Sequence, residues 1–191
     1  MKIALYFGTF NPIHIGHLIV ANHIAEHTNV DQVWMVVTPH NPLKKKETLA
    51  DDYKRLEMVH LATELYVKIK PSNIEFKMPQ PNYTVNTLAY LQEKFPGNTF
   101  SLIMGEDNLN TLHKWKNFEV ILENHPIFVY PRVNNESEST FKHHPNVHFI
   151  NAPLVEISST FIRENIKAKK NVRPLLPEAV WNFIDRDNLY R

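Results

Sequence analysis

The chain has 191 residues, 43% of them hydrophobic, enough to build one well-buried domain. Its 21 lysines and arginines against 20 acidic residues leave a formal net charge of +1, so no broad field directs it to nucleic acid or membrane, and any anion site must be local. With zero cysteines, disulfides, thiol nucleophiles and thiolate metal sites are excluded.

The first strand is expected at Ile3 to Phe7, with no signal peptide before it, and no apolar run approaches the roughly 20 residues of a spanning helix, so a cytoplasmic protein is expected. Directly after that strand comes Gly8-Thr9-Phe10-Asn11-Pro12-Ile13-His14-Ile15-Gly16-His17, in which two histidines three apart open a helix running to about His27. Backbone N–H groups, a positive helix end and two imidazoles converging on one point suit a polyphosphate. Leu18, Ala21 and Ala25 fall at helical spacing on the inner face.

Gln32 to Thr38 reads as a second buried strand, stopped by Pro39 and followed by a polar loop from His40 to Leu49. Asp51 or Asp52 starts the next helix, with Met58, Leu61, Ala62 and Leu65 expected inward. Ile74-Glu75-Phe76 is the expected third strand. Tyr83 to Phe95 is helical with Val85, Leu88 and Ala89 inward, closed by Pro96-Gly97. Strands follow at Thr99 to Met104, Pro126 to Tyr130 and Val147 to Ile150, and the polar stretch Val133 to Pro145 reads as a surface loop. The alternation predicts an α/β, Rossmann-like open parallel sheet with helices on both faces, in a single domain over residues 1–191 whose part from Ile157 onward is a helical cover.

In such a sheet the ligand lies at the carboxyl ends of the strands. Four segments fall there: Gly8 to His17, Asn41 to Lys46, Gly105-Glu106-Asp107, and the start of a late helix, Ile157-Ser158-Ser159-Thr160-Phe161-Ile162-Arg163. Three hydroxyls at a helix start, with a guanidinium one turn in, suit a phosphate chain. Each has a plainer alternative, which for His14 and His17 is a pair of helix-start histidines that hydrogen-bond locally. Lys44, Lys45 and Lys46 also fit a solvated loop, Ser158 to Thr160 and Asp107 fit helix caps, and Trp115 fits a core. His23 and His27 are spaced i and i+4 but lack an evident third metal ligand, and His143, His144 and His148 read as surface residues.

These segments, with Asn82-Tyr83-Thr84-Val85-Asn86-Thr87-Leu88 and the ending Arg173-Pro174-Leu175-Leu176-Pro177-Glu178, resemble the bacterial-type nicotinate-mononucleotide adenylyltransferases, nucleotidyltransferases with an H-x-G-H signature, collinearly over nearly the whole chain. The resemblance implies transfer of the adenylyl group of ATP to nicotinate mononucleotide by direct in-line attack, with nicotinate adenine dinucleotide and pyrophosphate as products in NAD biosynthesis. It implies that His14 and His17 stabilise charge on the ATP phosphates, that Gly8, Thr9 and Phe10 contact both substrates, and that Lys44, Ser158, Ser159, Thr160 and Arg163 hold the remaining phosphates. Thr84, Asn41, Gly105, Asp107 and Trp115 are then the acceptor residues: the indole faces the pyridinium, Thr84 donates to its carboxylate, and Asp107 accepts from a ribose hydroxyl. With no acidic cage evident, Mg2+ is expected to arrive on ATP oxygens.

Phe7 stands where the family commonly has a second glycine, and Asn86 where aspartate is frequent, which removes a negative charge near Thr84. A role for Arg132 after the fifth strand stays open. Nicotinamide mononucleotide and phosphopantetheine are alternative acceptors, the second disfavoured by His14 because those relatives usually carry threonine there. A class I tRNA synthetase fragment shares His14-Ile15-Gly16-His17, but the chain is short for tRNA-binding parts and lacks an evident lysine-serine-lysine loop. A nucleotide sensor without turnover is the non-enzyme alternative.

Overall fold

The computed structural model describes residues 1–39, 49–131 and 140–191. Its strands are β1 (Lys2–Gly8), β2 (Gln32–Val37), β3 (Ile69–Ser72), β4 (Thr99–Gly105), β5 (Ile127–Tyr130) and β6 (Val147–Phe149). They form one sheet in the order β3-β2-β1-β4-β5-β6 with every neighbouring pair parallel. The helices are α1 (Ile15–His27), α2 (Asp52–Thr63), α3 (Thr84–Lys94), α4 (Glu106–Asn110), α5 (Phe118–Asn124), α6 (Ser159–Lys167) and α7 (Glu178–Arg186). Strand order reverses between β1 and β4, and a crevice opens at such a switch point beyond the carboxyl ends.

Both central strands are buried on both faces, and the two-residue pleat divides their side chains between two cores. Ala4 and Tyr6 of β1, Val33, Met35 and Val37 of β2, and Ile103 of β4 enter one core with buried residues of α1, α2, α6 and α7. Ile3, Leu5, Val36, Phe100, Leu102 and Met104 enter the other, with residues of α3, α4 and α5. The helices from Ile157 onward therefore lie on one face, where Ile162, Ile166, Val180, Phe183 and Ile184 complete the first core and α7 packs against α2. Among the described residues no helix is long and apolar enough to cross a membrane.

Three local expectations are corrected. Ile74-Glu75-Phe76 lies in a 3-10 turn (Ile74–Lys77), and the third strand is Ile69–Ser72. That strand contains Pro71 and forms the sheet edge, where a missing N–H is tolerated; Glu75 is buried instead of pointing to solvent as a strand alternation would place it. Leu65 lies beyond the end of α2 and is 92% exposed, while Arg55, Val59 and Thr63 share the buried face with Met58 and Ala62. In α3, Thr87 is buried beside Leu88 and Ala89 is exposed, because the Thr87 hydroxyl donates to buried Glu75 (2.7 Å). Asp51 is the N-cap of α2, accepting from the N–H groups of Tyr53 (3.0 Å) and Lys54 (3.3 Å). The expected loops at His40 to Leu49 and Val133 to Pro145 fall largely outside the described residues.

Candidate active site

β1 ends at Gly8, whose hydrogen faces the Phe10 ring: a Cβ there would sit 2.8 Å from Phe10 Cζ. Phe10 takes a left-handed backbone (φ 45°), which sends its ring back under the strand end, 2% exposed and edge-on to Tyr6 and His17. The ring is thus core, and what Phe10 offers to a ligand is backbone. Phe7, at the position where the family often has glycine, packs into the second core.

The scaffold holds the carbonyls of this loop. The Gly8 carbonyl accepts from the Thr38 N–H (2.9 Å), the Thr9 carbonyl from Arg55 Nη1, the Asn11 carbonyl from Arg163 Nη1 (2.8 Å) and the Pro12 carbonyl from the Ser159 hydroxyl (2.9 Å). Buried Asn11 also accepts through Oδ1 from the Ala50 N–H (3.1 Å) and the Tyr190 hydroxyl (2.8 Å). Burial pushes the Tyr190 phenol above its ordinary range, so it stays a donor. Two of these ties come from the first turns of α6, so the N-termini of α1 and α6 meet over one loop.

His14 is the N-cap residue of α1, and its N–H donates to His17 Nδ1 (3.2 Å). An Nδ1 that accepts carries no proton, so the neutral ring holds its proton on Nε2. The two imidazoles are stacked, centroids 3.7 Å apart at 24°, with His14 buried. Gly16 makes room for the pair, since a Cβ there would lie 3.1 Å from His14 Nδ1 and 3.7 Å from Ile157 Cβ at the start of α6.

At the start of α6, the Ser158 hydroxyl accepts from the Phe161 N–H (3.1 Å) as the N-cap, and Ser159 is spent on Pro12. Arg163 Nη2 donates to the Thr160 hydroxyl (3.3 Å). Among the described residues the other guanidinium donors of Arg163 are uncommitted. Asn41, Lys44, Lys45, Lys46 and Arg132 lie outside the described residues.

On the opposite side of the switch point, Thr84 opens α3 immediately after its N-cap Tyr83, where first-turn N–H groups lack intrahelical acceptors. Lys116 lies over the Tyr83 ring (4.7 Å), which brings the segment carrying half-buried Trp115 beside the start of α3. Gly105, at the end of β4, is the N-cap of α4, and Asp107 is exposed in the first turn of that helix.

Two buried residues of this region were not singled out by sequence pattern. Arg55 has no exposed surface, and Glu75 is 2% exposed. Burial raises the Glu75 carboxyl above its ordinary range, against hydrogen bonds from Thr87 and Thr38 that work the other way. Glu75 Oε1 anchors Thr87, and its carbonyl accepts from Asn82 Nδ2 (3.3 Å), so it supports the turn leading into Thr84 from beneath. An arginine three residues beyond an aspartate at a helix start was the available signal for the first, but the same spacing is common in surface pairs.

His23 and His27 stack 4.5 Å apart at the other end of the molecule, on a groove of about 1030 Å³ near the amino ends of β1 and β4 that His125 and His148 also line. Burial, then the neighbouring His27, lowers the pKa of His23. Among the described residues no three His, Cys, Asp or Glu side chains gather to hold a metal. The candidate site itself offers N–H groups, hydroxyls and a guanidinium, donors matched to anions, so a divalent ion serving ATP fits as an ion held chiefly by nucleotide oxygens.

The loop lies between two helix ends at the switch point of a parallel 3-2-1-4-5-6 sheet, a place where nucleotides bind, and the family model described as cytidylyltransferase-like matches residues 5–165, which makes the chain a member of that nucleotidyltransferase family. Proteins named probable nicotinate-nucleotide adenylyltransferase from Flavobacterium psychrophilum and Flavobacterium johnsoniae are 71% and 68% identical over 192 residues, covering 100% of this chain and of each relative. The chain belongs to the nicotinate-nucleotide adenylyltransferase family. The fold is shared with a solved Plasmodium falciparum nicotinic acid mononucleotide adenylyltransferase complexed with NaAD (TM-score 0.85, 22% identity, 99% of this chain and 97% of that one). A second structure of that protein, complexed with APC, gives a TM-score of 0.83 at 21% identity over 99% and 96% of the two chains.

Proposed function

We propose that the chain transfers the adenylyl group of ATP to nicotinate mononucleotide, giving nicotinate adenine dinucleotide and pyrophosphate. An oxygen of the acceptor 5′-phosphate attacks the α-phosphorus, the bond to the bridging oxygen on the β side breaks, and pyrophosphate leaves with that electron pair. No group of the protein is made or broken, so its work is positioning and charge stabilisation.

The observation that carries this reading is the pairing of His14 N–H with His17 Nδ1, which leaves an Nε2–H on His17 beside two helix N-termini. His17 donates that proton in a hydrogen bond to phosphate oxygens, most strongly as negative charge builds on the leaving pyrophosphate, and His14 holds the ring by stacking and by its backbone. Thr9 and the backbone of Gly8 and Phe10 lie between donor and acceptor phosphates. Thr160, the open N–H groups at the start of α6 and the uncommitted donors of Arg163 take the β and γ phosphates, with Ser158 and Ser159 shaping that helix start. Lys44 adds positive charge from its loop. Magnesium supplies charge neutralisation on the triphosphate when bound with ATP.

For the acceptor, Trp115 stacks on the pyridinium ring, Thr84 and the first N–H groups of α3 donate to the nicotinate carboxylate, and Gly105, Asp107 and Asn41 contact the ribose and phosphate side. We place the activity in the cytoplasm, with small-molecule substrates and neither nucleic acid nor membrane as partner.

The test is pyrophosphate release from ATP and Mg2+ with nicotinate mononucleotide and, separately, nicotinamide mononucleotide, with the dinucleotide identified by mass. Strong preference for the acid is expected. Equal use would make the acceptor assignment too narrow, and no turnover with either would return the chain to a sensor or to another acceptor.

A further inference from the structure

Arg55 lies in α2, fully buried, and every donor of its guanidinium is spent. Nε donates to the Ala50 carbonyl (3.0 Å), Nη1 to the carbonyls of Thr9 and Thr38 (3.0 Å for the second), and Nη2 to the Pro39 carbonyl (3.4 Å) and to Asp52 Oδ1. Five N–H groups meet five acceptors, drawn from the phosphate-type loop, the exit of β2 and the start of α2. The charge is compensated by Asp52 and by four carbonyl dipoles, so it contributes no free cation to a ligand.

Its consequence for the loop follows from peptide geometry. Across a trans peptide the C=O and N–H point in opposite directions. With the Thr9 carbonyl held inward by Arg55, the N–H of Phe10 points away from the buried guanidinium, and among the described residues it has no protein acceptor. The left-handed φ of 45° at Phe10 is a conformation that a side-chain-bearing residue adopts only when its surroundings impose it. Arg55 and the packed Phe10 ring impose it from the two sides of that residue.

We propose that Arg55 is a positioning residue for adenylyl transfer: without touching substrate, it turns the Thr9–Phe10 peptide so that the Phe10 N–H is aimed at the reacting phosphates. This rests on the reading of the site given above. The requirement is for the five-donor fork and not for the charge, because a lysine keeps the charge but has three donors on a single atom and cannot reach loop, strand exit and helix start together.

The test compares wild type, Arg55→Lys and a core variant on the opposite face of the sheet, Leu122→Ala, each confirmed folded by circular dichroism and a cooperative melt. Steady-state kinetics are then measured with ATP and nicotinate mononucleotide. Arg55→Lys is expected to lose about tenfold or more in kcat, the scale of one misplaced donor to a transition-state oxyanion, with the acceptor KM within about threefold. Leu122→Ala is expected to lower the melting temperature while keeping kcat. Wild-type kcat in Arg55→Lys, or a loss equal to that of an equally destabilised Leu122→Ala, overturns the proposal. Should Arg55→Lys not fold, Asp52→Ala decides by removing one of the five acceptors: a kcat reduced about threefold at unchanged KM supports it, and an unchanged kcat overturns it. Absence of turnover in the wild type would instead count against the adenylyl-transfer reading itself.

Discussion

Because Nδ1 of His17 accepts the His14 N–H, the neutral ring carries its proton on Nε2. In the role proposed above, its hydrogen bond strengthens as charge develops on the departing pyrophosphate, so His17→Ala is expected to lower kcat by about 100-fold or more while leaving acceptor affinity near wild type. Steady-state kinetics with unchanged turnover would remove His17 from the chemistry. The role proposed for Trp115 concerns the other substrate. The side chain is half-buried against the second core and beside the segment that meets α3, so Trp115→Ala is expected to raise the nicotinate-mononucleotide KM by about tenfold, the scale of a partly desolvated cation–π contact, with kcat little altered. A variant with normal acceptor KM but poor ATP use would reassign the indole. Neither residue needed the tertiary structure to be noticed, because both lie in segments carrying a recognisable pattern. The tautomer of His17 did need it, since it depends on a backbone N–H three residues away whose direction is set by the helix start.

At the scale of elements, the start of α3 is supported by a carboxyl that sequence pattern assigned to a strand. Glu75 Oε2 is buried with no partner, and burial raises the pKa of the group from its ordinary 4.5. A carboxyl raised in the folded state contributes stability fully below the unfolded value, and that contribution is lost as pH rises through the folded value. Glu75→Gln cannot ionise and keeps an acceptor for Thr87. The variant is therefore expected to gain on the wild type as pH rises above the ordinary carboxyl value. Urea unfolding across that range checks it; curves that run parallel would mean that the carboxyl does not titrate in the fold. The error over the third strand has the same origin. Ile-Glu-Phe alternates and is rich in strand formers, whereas Ile69-Lys70-Pro71-Ser72 contains a proline that argues against a strand until its edge position is known.

At the scale of the whole molecule, the loop after β1 is held by residues scattered over the chain: Arg55 in α2, Ser159 and Arg163 in α6, and Tyr190 next to the C-terminus. Long-range ties of this kind hold the loop's carbonyls inward against the scaffold. Tyr190→Phe removes the hydroxyl from Asn11 Oδ1 while leaving the Ala50 N–H in place, so a loss of about 1 kcal/mol in unfolding free energy is expected. A denaturation midpoint equal to wild type would show that this end of the chain adds nothing to the loop. The tie joins residue 190 to residue 11, and no local pattern in either segment points to the other.

The sequence by itself determined the α/β class, most strand positions and the segments of the candidate site, because hydrophobic periodicity, turn residues and the histidine loop are local and survive without knowledge of neighbours. It also determined that Gly8 and Gly16 flank the loop, though not why: only the folded chain shows the Phe10 ring and the His14 ring occupying the space a Cβ would need. What the tertiary structure alone decided was the direction of each donor. The Arg55 fork, the Glu75 support and the Tyr190 tie depend on groups brought together across 46, 12 and 179 positions of the chain, and a hydrogen bond is specified by the orientation of both partners, which no single segment contains.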